Sequence, residues 1–190
     1  EYSCSGTPAD CVKIGTQEIL ERKPDLCVSG INHGSNSSIN VIYSGTMSAA
    51  VEAGVEGIPA IGFSVLDYSM EANFDHTTKY VKRITENVIK NGLPKGVVLN
   101  VNIPKAGDVK IKGVKICRQA NARWEEVFDK RQSPQGRDYY WLSGEFVNSD
   151  QGKDTDVEAL EAGYVSVVPV KFDLTAHDFM KELNAWNIND

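Results

Sequence analysis

Two short segments of the sequence carry amide oxygens and hydroxyl groups at a spacing suited to binding an anion beside a metal ion. Asn32 and Asn36 lie in a polar stretch, residues 30–40, which follows an apolar run. Ser44-Gly45-Thr46 stands directly before a run of small residues that is typical of a helix. Hard divalent cations prefer oxygen ligands, and the N–H groups and hydroxyls of a helix N-terminus bind phosphate. The pattern predicts an anion-binding corner beside an oxygen ligand.

The same residues also have a plain structural interpretation. Ser and Thr at the start of a helix often do no more than cap its backbone, and Asn-rich loops are often turns. The residue types alone leave both interpretations open.

Other groups of reactive side chains give weaker evidence for a site. His33 lies in the polar stretch and could assist proton transfer, while His177 follows Asp173 by four residues and can pair with it. The histidines are too widely separated for a histidine zinc site. The sequence contains no Walker A, Gly-x-Ser-x-Gly or Gly-x-Gly-x-x-Gly pattern, so P-loop, serine-hydrolase and dinucleotide-binding classes lose support. No catalytic residue is assigned.

Alternating strands and helices must position these groups. We predict a helix over residues 8–20, then a short apolar strand over 25–29 of the kind that is covered on both faces in a parallel sheet. A helix from about 44 to 57 and a strand over 58–65 complete a βαβ unit. In open α/β sheets ligands bind beyond the carboxyl ends of the strands, which is where residues 30–40 would lie.

Further elements are predicted downstream. After a helix over 76–90 and a strand over 97–103, the alternation of apolar and basic residues over 109–118 indicates an antiparallel strand with one face in water. A hairpin around the turn 133–136 is expected to project as an arm. The chain then closes with a helix over 155–162, a strand over 164–170 and a helix over 178–186.

These elements divide the chain into two predicted parts. Residues 1–104 form a core α/β domain. Residues 105–190 form a β-hairpin arm and a C-terminal oligomerisation segment that returns to the core.

Composition fits one globular protein. Of the 190 residues, 41% are hydrophobic and 24% are charged, which argues against disordered and coiled-coil classes. No apolar run is long enough for a membrane span. The four cysteines show no Cys-x-x-Cys spacing, which indicates reduced thiols and a cytoplasmic location.

Charge is unevenly distributed within a net charge of −6. Acidic side chains outnumber basic ones in residues 1–78 and 132–190, whereas basic side chains dominate residues 79–131. The basic segment could be a nucleic-acid footprint, which would make the chain a non-catalytic binding module. The alternative is a solvated helix face and strands lying against acidic neighbours. Few aromatics interleave the lysines, which favours the second interpretation and argues against a nucleic-acid partner.

Several motifs together resemble the SurE family of survival-protein nucleotidases. They occur in the family's order and span essentially the whole chain. They include Gly6-Thr7-Pro8-Ala9-Asp10, Val28-Ser29-Gly30-Ile31-Asn32-His33-Gly34, Val41-Ile42-Tyr43-Ser44-Gly45-Thr46, Leu99-Asn100-Val101-Asn102-Ile103-Pro104, Asp154-Thr155-Asp156 and Asp173-Leu174-Thr175-Ala176-His177.

The resemblance implies a Rossmann-like three-layer α/β fold and a phosphomonoesterase of the 5′-nucleotidase, acid-phosphatase-like type. Its substrates would be nucleoside 5′- and 3′-monophosphates, with short polyphosphate as a further class. One divalent ion, Mg²⁺ or Mn²⁺, would be bound by two adjacent aspartates, a serine and Asn32. Asn36, Ser44, Gly45 and Thr46 would bind the phosphate. Family members form dimers or tetramers through the C-terminal arm, which they exchange between subunits.

The family's Asn-Asp-Asp-Gly motif and metal-binding serine precede the Gly-Thr-Pro block, and neither occurs in these residues. We therefore expect the N-terminal strands to be missing and the 190-residue chain alone to bind metal poorly and to be inactive.

Overall fold

The structure is a computed structural model and describes residues 1–107, 110–186 and 188. The helices and strands, in chain order, are α1 (Pro8–Ile14), β1 (Cys27–His33), α2 (Gly45–Val55), β2 (Ala60–Val65), α3 (Thr78–Asn91), β3 (Val97–Ile103), β4 (Gly113–Ile116), β5 (Ala122–Gln132), β6 (Asp138–Asn148), α4 (Asp156–Glu161), β7 (Tyr164–Lys171) and α5 (His177–Leu183).

One sheet organises the core, with strand order β1-β2-β3-β7-β4. The first three strands are parallel, and β7 runs antiparallel to β3. β4 pairs in parallel with β7 at the edge of the sheet. The antiparallel pairing predicted over 109–118 is therefore wrong for residues 110–118, and residue 109 lies outside the described residues. Alternation of apolar and basic residues shows that one face meets water, which an edge strand can do in either direction.

Helices cover both faces of this sheet. The buried side chains of α3, Tyr80, Ile84 and Val88, pack against apolar residues of β2, β3 and β7. On the opposite face, small residues of α2 lie against Ala60 and Val98. The predicted three-layer α/β architecture is confirmed. Ile89, next to Val88 on α3, is 64% exposed and takes no part in this packing.

The first two helices begin at the residues that their caps specify. Thr7 and Asp10 form a reciprocal capping box at the start of α1, which satisfies two otherwise unpaired backbone donors. The predicted helix over 8–20 ends in a π-helical turn, Gly15–Ile19. Ser44 caps α2 through its Oγ atom, which accepts a hydrogen bond from the Met47 backbone N–H at 3.0 Å.

β1 differs from its prediction in length and in exposure. It extends through Asn32 to His33 rather than ending at residue 29. Gly30 adopts φ +112°, and the register with β2 shifts between Ser29 and Asn32, so the strand continues past an irregularity. Within the described part of the chain β1 is an edge strand, and Val28 is 47% exposed, so it is not covered on both faces.

The predicted hairpin arm is confirmed. β5 and β6 pair antiparallel from Ala122 opposite Asn148 to Gln132 opposite Asp138. Nearly all of their side chains are exposed. The chain then returns through α4 to β7, which lies between β3 and β4.

Ion pairs occupy much of the basic segment. Arg118 lies 2.6 Å from an oxygen of Asp150, and Lys130 lies 2.7 Å from Asp138. Further basic side chains of the segment that pair with carboxylates are Lys82, Lys105, Arg123 and Arg131. These contacts favour acidic neighbours over a nucleic-acid footprint. Among the described residues no helix has both the length and the apolar character that crossing a membrane requires.

Candidate phosphate and metal site

The candidate site lies where β1, β2 and β3 end and their loops meet. The Gly34 N–H donates to the carbonyls of Val65 at 2.9 Å and Asp67 at 3.1 Å, which ties the loop after β1 to the loop after β2. The Leu66 N–H donates to the Ile103 carbonyl at 2.9 Å, which fixes the loop after β2 against β3. The loops are thus held together at the carboxyl edge of the parallel strands.

A row of polar residues crosses the sheet just inside this edge. Asn32 pairs in register with Ser64, Ser64 with Asn102, and Asn102 with Ser166. Residues in register on neighbouring strands share one face of a sheet. Asn32 therefore stands at the end of a polar row on a strand, not in a loop as the sequence indicated.

The side chain of Asn32 is suited to serve as one ligand of a bound cation. It is half-buried, and its Nδ2 donates to the Gly34 carbonyl at 3.0 Å. Within the part of the chain that the structure describes, its Oδ1 accepts no hydrogen bond, so this oxygen can face a ligand. Those residues contain no group of three or more His, Cys, Asp or Glu side chains that could bind a metal ion. The donor set thus fits one ligand position and not a complete metal site.

Asn36 is buried at 6% exposure and organises the loop rather than projecting from it. Its backbone N–H donates to Asn102 Oδ1 at 2.8 Å, and its Nδ2 donates to Ser64 Oγ at 2.6 Å. Its carbonyl accepts from Asn100 Nδ2 at 2.8 Å. An amide nitrogen carries two hydrogens, so one remains for a phosphate oxygen. Ser64 and Asn102 were not predicted as site residues, although polar residues within apolar strands were the available signal.

Ser44, Gly45 and Thr46 lie at the N-terminus of α2. The cap made by Ser44 confirms the structural interpretation of this residue, and it leaves the anion-binding one open. A helix does not satisfy the N–H groups of its first turn internally, so those of Gly45 and Thr46 can meet an anion. Gly45 is exposed and Thr46 is half-buried.

β2 brings the two predicted segments close together. Gly62 and Ser64 lie on the same face of β2, two residues or about 7 Å apart. Asn36 bonds to Ser64, while a Cβ atom built on Gly62 would lie 3.6 Å from Cγ2 of Thr46. The structure therefore places the loop of Asn32 and Asn36 and the start of α2 side by side on one face of the sheet.

A buried carboxylate fixes the far end of this loop. Asp156 is 1% exposed and accepts from the backbone N–H groups of Ser38 at 2.7 Å, Ala120 at 3.0 Å and Val157 at 2.9 Å. Burial raises the pKa of the Asp156 carboxyl, and these N–H donors oppose that rise. Ser38 Oγ also donates to the Ala122 carbonyl at 2.7 Å. The loop is thus joined to the base of the arm and to α4, which the sequence did not reveal.

His33 and His177 each contact an oxygen atom of this chain. The Nδ1 atom of His33 lies 3.0 Å from the Ser69 carbonyl, and its ring meets Phe74 edge-on at 5.0 Å. The Nε2 atom of His177 lies 2.8 Å from Asp173 Oδ2, which confirms the predicted pair.

Two of the cavities among the described residues lie beside β1 or the loop that follows it. One of about 580 Å³ lies between α1 and β1 and is lined mainly by apolar groups. The other, of about 460 Å³, lies at the carboxyl edge beside the loop of Asn32 and Asn36. Only the second adjoins the polar groups described above.

Comparison with known proteins places these residues in context. The family model Survival protein SurE matches residues 1–126. A protein of Christiangramia forsetii named 5′-nucleotidase SurE is 77% identical over 190 residues, which are 100% of this chain and 73% of that protein. A protein of the same name from Flavobacterium psychrophilum is 67% identical over 189 residues, covering 100% and 74%. The SurE crystal structure from Aquifex aeolicus aligns with a TM-score of 0.81 at 40% identity, over 95% of this chain and 73% of that one.

Proposed function

This chain belongs to the SurE family, and we propose on that basis that it is a nucleotidase that removes the phosphate from nucleoside monophosphates with the help of a divalent metal ion. The proposed substrates are 5′- and 3′-monophosphates, with short polyphosphate as a further class. The observation that carries the proposal is the placement of Asn32, Asn36 and the start of α2 on one face of the sheet at its carboxyl edge.

Each group has a role that follows from its chemistry. The backbone N–H groups of Gly45 and Thr46, with the hydroxyls of Ser44 and Thr46, would donate to the phosphoryl oxygens and stabilise their negative charge. Asn36 would donate its remaining amide hydrogen. Asn32 would offer its Oδ1 atom to Mg²⁺ or Mn²⁺. A bound divalent ion polarises a phosphoryl group and favours a nucleophilic water.

The remaining metal ligands would come from outside the described residues, which hold no group of three or more His, Cys, Asp or Glu side chains suited to a metal ion. A single neutral amide oxygen binds Mg²⁺ or Mn²⁺ weakly, because these hard ions are usually bound through carboxylates and several oxygens. We therefore expect the 190 residues expressed alone to release no phosphate.

The activity can be tested with a chimera in which the 190 residues replace the matched part of the Christiangramia forsetii protein. The chimera should release phosphate from adenosine monophosphate when Mn²⁺ or Mg²⁺ is added, whereas the 190-residue chain should not. A chimera that folds yet hydrolyses no nucleoside monophosphate would contradict the proposed function. Metal-dependent phosphate release by the short chain would contradict the ligand assignment.

The metal role of Asn32 has its own test. In the chimera, Asn32→Ala should lower activity about tenfold or more, because even outer-shell partners of a metal are worth about 10- to 100-fold. The variant should also need more Mn²⁺ for half-maximal rate. Asn91→Ala, at the exposed end of α3, is the matched control and should behave like the parent. An unchanged Mn²⁺ titration of Asn32→Ala would exclude Asn32 as a ligand.

We further propose that the arm formed by β5 and β6 joins copies of the chain into a dimer or tetramer. Both faces of the arm carry exposed apolar side chains, among them Phe128 at 62% and Trp141 at 59% exposure. A lone two-stranded hairpin with such faces in water is marginally stable, so a covering partner is expected.

A further inference from the structure

The cavity of about 460 Å³ at the carboxyl edge lies between the loops after β1, β2 and β3, the base of the arm and α4. The loop after β1 contributes Ser35, the loop after β2 contributes Tyr68, and the base of the arm contributes Trp124 and Phe146. Its size falls within the range of about 300–1,000 Å³ that is usual for small-molecule sites.

The Tyr68 wall adjoins the candidate phosphate and metal site. A Cβ atom built on Gly34 would collide with the Tyr68 ring, so the ring lies directly against the backbone of this loop. The Ser35 N–H donates to Tyr68 Oη at 3.3 Å. The carbonyl of Gly34 accepts the hydrogen bond from Asn32. The Tyr68 ring therefore packs against Gly34, which follows Asn32, the proposed metal ligand, by two residues.

The part of the cavity formed by the base of the arm is also aromatic, and it is held in place. Trp124 and Phe146 are opposite residues of β5 and β6, and their ring centroids lie 5.7 Å apart in an edge-on arrangement. Trp124 Nε1 donates to Asn40 Oδ1 at 3.2 Å, which orients the indole. Tyr68 remains 71% exposed and Trp124 47% exposed, so both present ring surface to an incoming molecule.

The rest of the lining selects the kind of ligand. Leu66, Val157 and Leu160 give it an apolar surface. Lys105, which lies 3.6 Å from Asp67, adds a cation, and Glu161 adds a carboxylate. Aromatic walls on an apolar surface suit a flat heteroaromatic ring better than a sugar or a chain of phosphates.

We propose that this cavity binds the nucleobase of the substrate, with Tyr68 and Trp124 as its aromatic walls. The inference rests on the proposed nucleotidase function and adds the recognition of the base. Because every base offers a π-face to an aromatic side chain, stacking of this kind tolerates different bases. The site should therefore accept purine and pyrimidine monophosphates alike and distinguish them from phosphomonoesters that lack a base.

The kinetic test uses the chimera with Tyr68→Ala and Trp124→Ala. Each variant should raise KM for adenosine and uridine monophosphates about tenfold, a change typical of losing one base-stacking contact. Hydrolysis of glycerol phosphate, which has no base, should keep its kcat/KM. Unchanged KM for both nucleotides, with activity intact, would overturn the inference while leaving the proposed function standing.

Conservative variants separate stacking from loop positioning. Tyr68→Phe and Trp124→Phe keep an aromatic ring but lose the hydrogen bonds to Ser35 and Asn40. They should retain nearly the parent KM. If they raise KM as much as the alanine variants do, the side chains act by positioning the loops and the inference is wrong.

Direct binding provides a readout that does not depend on activity. Adenosine, which has a base but no phosphate, should bind the chimera in calorimetric titrations and should bind the alanine variants about tenfold more weakly. Absence of adenosine binding to the folded chimera would overturn the inference whether or not phosphate is released. Tyr68 is so exposed that its alanine variant is expected to fold, which keeps the comparison available if Trp124→Ala does not.

Discussion

Asn36 illustrates how far a residue type can be interpreted from sequence. Its place in a polar stretch predicted a loop residue near phosphate, yet its backbone and amide groups bond to Ser64, Asn100 and Asn102. Asn102 lies 66 residues further along the chain. Such a partner is set by the pairing of β2 and β3, which residue spacing does not report. The phosphate role of Asn36 stays a prediction.

Gly30 offers the sharpest test at this scale. A Cβ atom there would meet the Phe63 carbonyl oxygen, and φ of +112° disfavours any side chain. Gly30→Ala should lower the free energy of unfolding by about 1–3 kcal/mol, which is the usual cost of such backbone strain. It should also lower activity in the chimera, because Asn32 follows two residues later. Urea denaturation monitored by circular dichroism measures the first effect.

Gly15→Ala is the matched control. Gly15 has helical angles, φ −60° and ψ −47°, and a Cβ atom added to it would meet no atom within 4 Å beyond its own helical turn. The substitution should leave stability unchanged or raise it by about 0.4–1 kcal/mol, because it restricts the unfolded chain. Equal stability of the two variants would contradict the strain assigned to Gly30.

Among the helices and strands, the sequence predicted the features that interactions between residues close in sequence determine. The starts of α1 and α2 were predictable because Thr7 and Ser44 cap them through side chains close in sequence. The length of β1 was not, because a strand can pass a glycine irregularity when a neighbouring strand supplies the hydrogen bonds. The direction of β4 was not either, since it depends on β7 as its partner.

The base of the arm should make stability depend on pH. Arg118 donates to both oxygens of Asp150, and the N–H groups of Asn121 and Gly152 also donate to it. These donors hold the pKa of the Asp150 carboxyl well below its usual range. The stabilisation is therefore fully present above the unfolded pKa of about 3.9, and it is lost as pH falls toward the folded pKa.

Asp150→Asn tests this linkage. The variant should melt at a lower temperature than the parent near neutral pH, because a neutral amide replaces the charged partner of Arg118. The difference in melting temperature should shrink as pH falls below about 4, where the parent carboxylate begins to be protonated in the unfolded chain. Thermal melts in buffers across this range measure the difference. A difference that stays constant with pH would show that the charge of Asp150 is not the cause.

The whole molecule joins the candidate site to the arm through shared residues. Trp124 and Phe146 line the cavity at the base of the arm, and Phe128, Tyr140 and Leu142 continue along the same face of the hairpin, since residues two apart on a strand share a face. Asp156 and Ser38 tie this base to the loop that carries Asn36. The sequence predicted the arm, but not that its base closes one side of the candidate base pocket.

Assembly through the arm is testable on the chimera. Phe128 and Leu142 lie opposite each other, are 62% and 55% exposed, and form an apolar pair that a second copy of the chain would cover. Replacing both by Asp places two like charges in the proposed interface and should convert a dimer or tetramer into monomers. Size-exclusion chromatography with light scattering measures the mass.

The control for this test is Lys153→Asp, which adds an acidic side chain at an exposed position outside the arm and should leave the assembly intact. Stable interfaces bury at least about 1,200 Å², which is more than two side chains provide. The double variant is therefore expected to be monomeric only if Phe128 and Leu142 lie near the centre of the interface. A monomeric parent chimera would contradict assembly altogether. If the double variant stays oligomeric, Phe128 and Leu142 are not in the interface. The other face of the arm, where Trp141 and Val127 are exposed, would then be the candidate.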